Sequence, residues 1–489
     1  MRSHSHTRRA TSNKGRGGRI RGGFVDRRCM RLSFPRLAIL QPAPIRKRLW
    51  QGGIALAAVL LTFVIGNGFI SEDKAVGARM LGHDFMAFYT AGTFARAGDF
   101  DKLYDLQATR QFQHNLAAKN GLEIGKSFGP YWNPPFYAWV PALFAGLSYP
   151  KALAAWTILN IVCLCLAMAM MVKMLPVQYQ DDWKIWALIP LLIVTSMPFI
   201  QAISHAQNTF MSLMLLSLVV TAWRKRMPVA AGLVCGLMFY KPQLAAVVAG
   251  MLFLSLGIRV CIGLGFVVGM LLLITGATMP DVLGTYLTQL PQNLRFIQID
   301  NPYLWERHVT LRAFWRLLYQ GREPGETTLL VNVLTVISML AIGAGLLLGW
   351  RRSSERDTDD CWTGETRLAA LDRLIVATII SMPLLMPFYF DYDLLLLSVP
   401  AVLTAGEVLA NSPDGRLDRM QRLLVGVWTA LYAWMMINPP VASAGSVNVA
   451  VVLLGALSGV SIARASGHER EYPSVRLPQS QPETSRIAA

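Results

Sequence analysis

The sequence predicts an all-α polytopic membrane protein with about twelve transmembrane helices. Three observations carry that reading. First, 53% of the 489 residues are hydrophobic and only 15% are charged, against roughly 25% charge in a soluble domain. Second, the apolar residues fall into blocks near the length that crosses a bilayer, about 20 residues. Third, Lys and Arg gather in alternate short loops between those blocks, as they do in cytoplasmic loops.

The spans read as about 50–70, 151–172, 184–203, 207–223, 228–240, 242–257, 260–279, 327–350, 373–389, 393–410, 422–437 and 447–464. They define a transmembrane domain over 49–464, between a basic tail at 1–48 and a polar tail at 465–489. Both tails read as disordered and cytoplasmic. The first apolar run lies deep in the chain and reads as a signal anchor. A multi-pass protein of a bacterial-type inner (plasma) membrane follows from these features.

Orientation comes from the cations. Arg46, Lys47 and Arg48 precede the first span, and Arg224, Lys225 and Arg226 follow the fourth. Arg259, Arg351, Arg352, Arg416, Arg419 and Arg464 follow later even-numbered spans. The turns at 204–206, 390–392 and 438–446 hold no Lys or Arg. Both termini are therefore expected inside. This requires that the apolar segment Pro134 to Tyr149 does not cross. It is expected to lie flat on the outer surface as an interfacial helix. Two outer loops are long, 71–150 and 280–326. The first is expected to hold short helices over Phe85 to Ala97 and Ala108 to Lys119.

The net charge of +17 suits anionic lipid better than nucleic acid, since much of the excess lies in the first 48 residues and the short loops. The stretch Arg16 to Gly23 is read as part of a solvated tail, and no nucleic-acid partner is expected. The six cysteines show no disulfide or metal spacing.

The few polar residues at span ends carry the chemistry. Asp84, in the run GHDFMAFY, could serve as a general base beside the membrane surface, or simply cap a short helix. Lys241 precedes Pro242 at a helix start. It could bind phosphate there, or snorkel to headgroups. His205, Gln207 and Asn208 could bind sugar hydroxyls or cap a span. His308 and Arg312 stand four residues apart, so a helix would place both on one face for a phosphate, unless they are scattered surface charges. Asp391-Tyr392-Asp393 has the form of a DxD metal motif, but an outer turn explains it as well. No metal-ligand spacing, P-loop, Rossmann glycine motif or nucleophile elbow is present, so neither metal nor cofactor is expected. The positive-inside reading places all of these residues on one side of the membrane, which favours an enzyme with its site at one face.

Together the motifs resemble glycosyltransferase family 87, membrane proteins of the GT-C superfamily similar to polyprenyl-phosphate-mannose-dependent mannosyltransferases. The matching pieces begin with Asp84-Phe85 and Phe88-Tyr89, then Gly98-Asp99-Phe100 and Leu103-Tyr104-Asp105. Tyr131-Trp132-Asn133-Pro134-Pro135, Trp156 and Asn160 follow, then Ala206-Gln207-Asn208 and Gly236 leading to Lys241-Pro242-Gln243. The last runs from Pro387 to Leu394 with Tyr392-Asp393. Ala206 departs from the pattern, which more often has Gly before the Gln. The basic N-terminal extension is a second departure.

The resemblance implies a GT-C-like bundle and an inverting hexosyltransferase, with mannose the first candidate sugar. It also implies a polyprenyl-phosphate sugar donor, and a glycan or glycolipid acceptor at the outer face. Asp84 becomes the expected base. Lys241, His308 and Arg312 become candidates for the departing phosphate, and Gln207, Asn208, Gln243 and Asp393 for substrate binding. The rival reading is a transporter or lipid flippase, which would more often show repeat symmetry and midplane charges.

Overall fold

A computed structural model describes residues 47, 50–58 and 82–467, except 123, 126, 359–363 and 413–416. Both tails, most of the first expected span and the loop before Gly82 lie outside the described residues. The described chain is helical throughout, with one isolated bridge pairing His308 and Phe390.

Two short helices open the first long loop, α1 (His83–Ala97) and α2 (Leu106–Lys119), close to the expected ranges. Asp105 caps α2, its carboxylate accepting from the backbone of Gln107 and Ala108. Aromatic side chains make α1 a core helix rather than a surface one. Phe85 and Phe88 both pack on buried Trp156, with ring centres 5.5 and 5.6 Å away.

The segment Pro134 to Tyr149 does not form a crossing. It breaks into single turns at Pro135–Ala138 and Trp139–Ala142 (α3). Proline at the start of one turn and within the other prevents a longer run. The backbone of Pro141 presses so closely on α1 that a Cβ at Gly92 would lie 2.5 Å from it.

The long helices follow. α4 (Tyr149–Met174) has 26 residues, more than the bilayer requires. α5 (Val177–Gln180), α6 (Trp183–Val194) and α7 (Met197–Ser204) come next. The expected span 184–203 is thus two helices, α6 and α7, bent by 65°. Ser196 caps α7 and Pro198 starts it, which explains the break. α8 (Thr209–Arg224), α9 (Pro228–Leu237), α10 (Pro242–Leu256) and α11 (Arg259–Thr278) agree with the sequence reading within a few residues, α9 being extended by a 3-10 turn to Tyr240. The second long loop carries α12 (Val282–Gln298) and α13 (Leu311–Gln320). The bundle closes with α14 (Leu329–Thr358), α15 (Gly364–Leu385), α16 (Ser398–Asn411), α17 (Arg419–Trp434), α18 (Asn438–Gly445) and α19 (Val449–Ala465).

By length and composition five described helices can cross a membrane, or six if the bent pair is one span. Four more apolar helices have 10–17 residues. The face of α11 bearing Ile262, Phe266 and Leu273 is exposed, which suits contact with lipid.

Small residues set the close contact between α9 and α11. A Cβ on Gly232 of α9 would fall 2.1 Å from the Val260 carbonyl on α11, and one on Gly263 would fall 2.1 Å from the Val229 carbonyl. Gly236, one turn beyond Gly232, faces Val267. This spacing lets two apolar helices meet backbone to backbone.

Ion pairs tie the basic ends of the helices together. Arg224 at the end of α8 meets Asp372 of α15 at 2.8 Å. Glu407 of α16 accepts from Arg373 at 2.6 Å and from Arg464 of α19 at 3.0 Å. The other ends of α7, α8 and α10 converge on Asp84.

Candidate functional site

The site is built where α1, the α7–α8 turn, the start of α10, the segment before α13 and the turn at Asp391–Leu397 meet. Gly82 sets the entry of α1. Its φ of 79° lies in the left-handed region, and its N–H donates to the Ser204 carbonyl at 2.9 Å. A Cβ there would also lie 2.8 Å from Leu153, so glycine meets both demands. Asp84 follows in the first helical turn, where the helix dipole favours its charge.

The α7–α8 turn faces it. Ala206 holds a positive φ of 50°, which is costly for a residue with a Cβ. This is the position where the family pattern favours Gly. The turn is held by Gln207 N–H to the Ala202 carbonyl at 2.9 Å, and by Trp156 Nε1 to the Ala206 carbonyl at 2.9 Å. It aims Gln207 at α1, where Nε2 donates to Asp84 Oδ2 at 2.7 Å and to the Tyr392 hydroxyl at 3.2 Å. His205 Nδ1 lies 3.3 Å from the same Oδ2. Asp84 Oδ1 takes part in neither contact, and 28% of the side chain remains exposed. The carboxylate is therefore anchored by one oxygen and open at the other.

Burial alone would raise the Asp84 carboxyl. The hydrogen bond and field of His205, the Gln207 amide and the Arg307 charge outweigh that, and hold it below its ordinary value. Arg307 Nη1 lies 3.4 Å from His205 Nε2. His205 therefore stands between the Arg307 guanidinium and the Asp84 carboxylate.

Two cation–carboxylate pairs complete the cluster. Arg307 grips Asp391 with two bonds, Nη2 to Oδ1 at 3.0 Å and Nε to Oδ2 at 3.2 Å. Asp391 is fully buried and also accepts from Gln201 Nε2 at 2.9 Å. Lys241 Nζ meets Asp393 Oδ1 at 3.0 Å, and Thr209 donates to that oxygen at 2.9 Å. Tyr392 sits between the pairs, its ring 5.6 Å from Lys241 Nζ and 5.9 Å from the Arg307 guanidinium. The two aspartates of the DxD pattern thus bind different cations. Among the described residues no group of three or more His, Cys, Asp or Glu is placed to hold a metal.

An aromatic wall adjoins the cluster. Tyr137 and Tyr240 stack with centres 4.7 Å apart. Asn208 Nδ2 donates to the Tyr137 hydroxyl at 2.9 Å, and Asn133 Nδ2 to the Tyr240 carbonyl at 2.8 Å. Motifs scattered from Asp84 to Asp393 in the sequence therefore meet in one place.

Not every expected residue joins them. His308 does not share a helix face with Arg312, because α13 starts only at Leu311 and His308 is extended, with φ −88° and ψ 127°. Its ring packs, tilted by 43°, with its centre 4.1 Å from that of Phe390, and its Nε2 meets the Tyr303 hydroxyl at 2.7 Å. Burial, then the charges of Arg307 and Arg312, push it down to about 3. It is a neutral packing group, unsuited to neutralise a phosphate. Arg312 lies beyond it, its guanidinium 5.8 Å from the Trp305 ring. Gln243 is half-buried in the first turn of α10. Neither has a hydrogen bond to the Asp84 cluster among the described residues.

Arg307 is the member that the sequence reading does not single out; His205, Asp391 and Tyr392 are noted there, as a sugar-binding or capping residue and as parts of the DxD-like turn. Arg307 ends the 3-10 turn Trp305–Arg307, and His308 leaves that turn extended and buried. The antiparallel bridge of His308 with Phe390 then sets Arg307 opposite Asp391.

The fold and this site define a polytopic membrane protein with an anchored carboxylate beside two buried cation pairs. Residues 131–363 match the model of glycosyltransferase family 87, the family whose motifs the sequence resembles, and a match to that family implies a membrane glycosyltransferase. The matched segment contains Asn133, Gln207, Lys241 and Arg307. Asp84, Asp391 and Asp393 lie outside it and join it through the contacts above. No curated protein and no solved structure matches the chain.

Proposed function

We propose that the protein transfers a hexose, with mannose the first candidate, from a polyprenyl phosphate to an acceptor hydroxyl at the outer face of a bacterial-type inner membrane. The acceptor is a glycan or glycolipid, and the anomeric carbon inverts. The observation that carries this reading is the geometry of Asp84, one oxygen anchored by Gln207 and His205 and the other left open.

In this mechanism the acceptor hydroxyl donates its proton to Asp84 Oδ1. Its oxygen attacks the anomeric carbon as the carbon–oxygen bond to phosphate breaks. The bonding electrons leave with the phosphate, so the products are the glycoside and polyprenyl phosphate. Charge builds on the departing oxygen, and preformed cations stabilise it. Arg307 and Lys241 are the groups proposed for that role. Each is already held in place by its aspartate, which limits reorganisation when the phosphate arrives. The Tyr137–Tyr240 wall, with Asn208 at its edge, suits a sugar face and its hydroxyls. Arg312 and Gln243 lie outside the reacting centre.

The test is a donor panel. The purified protein is offered labelled polyprenyl-phosphate mannose, the glucose analogue and a mannose nucleotide, each with a membrane lipid extract. Transfer from the mannosyl lipid, with release of polyprenyl phosphate, is the expected result. Transport of an intact lipid-linked sugar without transfer would favour the flippase reading instead.

A further inference from the structure

At the end of the bundle away from Asp84 a cavity of about 630 Å³ lies between α4, α6 and α8. That size is within the range of ligand pockets, about 300–1,000 Å³. Leu166 and Met170 of α4 and Met214 and Leu218 of α8 form its walls. Trp186 of α6 stands at its rim, half-exposed, with Nε1 fixed to the Gln180 carbonyl at 2.7 Å.

The cations sit at one end only. Lys173, Arg224 and Lys225 line the cavity near the basic ends of α4 and α8. Arg224 is occupied by Asp372 at 2.8 Å. Lys173 and Lys225 are exposed and have no carboxylate partner among the described residues. An apolar groove with two unneutralised ammonium groups at its mouth matches an anionic phospholipid. The acyl chain would lie along Leu166, Met170 and Leu218, and the phosphate between the lysines. Trp186 suits the headgroup level, where indoles concentrate.

This site is distinct from the one at Asp84. α8 begins at Thr209, which bonds Asp393, and ends at Arg224. Its 16 residues separate the two ends by about 24 Å at the helical rise. We propose that the groove between α4, α6 and α8 binds an anionic phospholipid from the leaflet on the basic side, through Lys173 and Lys225.

The test uses the full-length protein in detergent, titrated with palmitoyl-oleoyl phosphatidylglycerol or phosphatidylcholine and read by native mass spectrometry. Phosphatidylglycerol should be retained in preference to phosphatidylcholine. Lys173→Gln and Lys225→Gln should each weaken retention roughly five-fold, since a lysine near such a headgroup contributes on the order of 1 kcal/mol. Met214→Trp fills the groove and leaves both lysines, and should also lose the lipid. Lys173→Arg with Lys225→Arg should keep it, and serves as the folded control. Equal retention of the two lipids, or phosphatidylglycerol binding unchanged in the glutamine variants, would overturn the proposal. Full competition by inorganic phosphate alone would also overturn it, by reducing the site to a surface anion contact.

Discussion

Gln207 Nε2 reaches across from the α7–α8 turn to donate to Asp84 Oδ2 at 2.7 Å, joining residues 123 positions apart. The same amide hydrogen-bonds Tyr392. One side chain therefore links the proposed base, the turn that follows α7 and the turn that leads into α16. Gln207→Leu is expected to leave the fold intact and reduce kcat by about a hundred-fold, the scale of a misplaced reacting group. Steady-state kinetics beside a thermal melt checks this. A normal kcat in a folded variant would remove Gln207 from the site.

The pH dependence follows from the same contacts. Asp84 is held below its ordinary 3.8, so it is ionised at neutral pH. Its ionised form favours the folded state at pH above the ordinary value. That contribution fades as pH falls through the depressed value. Replacing His205 by Phe removes two of the lowering influences and leaves burial to raise the carboxyl. The acid limb of kcat/KM should then move to higher pH. A profile between about pH 3 and 6 that coincides with wild type would contradict the contact's electrostatic role.

The Arg307–Asp391 pair separates stability from activity. Arg307→Met leaves the buried Asp391 carboxyl without its cation, and should destabilise the protein by about 3–5 kcal/mol. Adding Asp391→Leu removes the orphaned carboxyl and should recover much of the loss. Activity should stay low in both variants, since the cation is absent from each. Recovery of activity together with stability would assign the pair a structural role alone.

The turn at Ala206 offers a gain. Glycine escapes the left-handed penalty of about 1–2 kcal/mol, but loses roughly 0.5–1 kcal/mol through the freedom of the unfolded chain. Ala206→Gly should therefore be neutral or more stable by up to about 1.5 kcal/mol, with activity kept. A drop in melting temperature would show that the turn is not strained.

The α9–α11 crossing predicts the opposite sign. Gly232→Ala would push a methyl into the Val260 carbonyl and should cost about 1–3 kcal/mol through forced separation. Gly265 has open space at its Cβ position, so Gly265→Ala in the same region should be tolerated. Equal melting of the two variants would contradict the close packing.

Much of this arrangement is legible in the sequence because membrane helices write long apolar runs. α4, α8, α10, α11 and α19 fall within a few residues of their expected bounds. Lys241 and Asp393 stand out because a charge in an apolar run is expensive. The break between α6 and α7 was less visible, since Thr195 and Ser196 interrupt the apolar run only briefly. Arg307 was hidden for a different reason. Its role depends on an extended segment pairing with residues more than eighty positions away, and no helical or strand periodicity marks that. His308 looked reactive as a residue type, yet burial makes it neutral. The expected count of twelve crossings exceeds the five or six that length and composition support among the described helices.

The most direct test of the central claim compares wild type with Asp84→Asn for donor binding and for turnover with polyprenyl-phosphate mannose. The substitution keeps the side chain's size and removes its capacity to take a proton. The account predicts unchanged donor binding and a turnover lower by about 10²–10⁴-fold, the usual contribution of a positioned base. Turnover within a few-fold of wild type, in a variant that still binds donor, would contradict it.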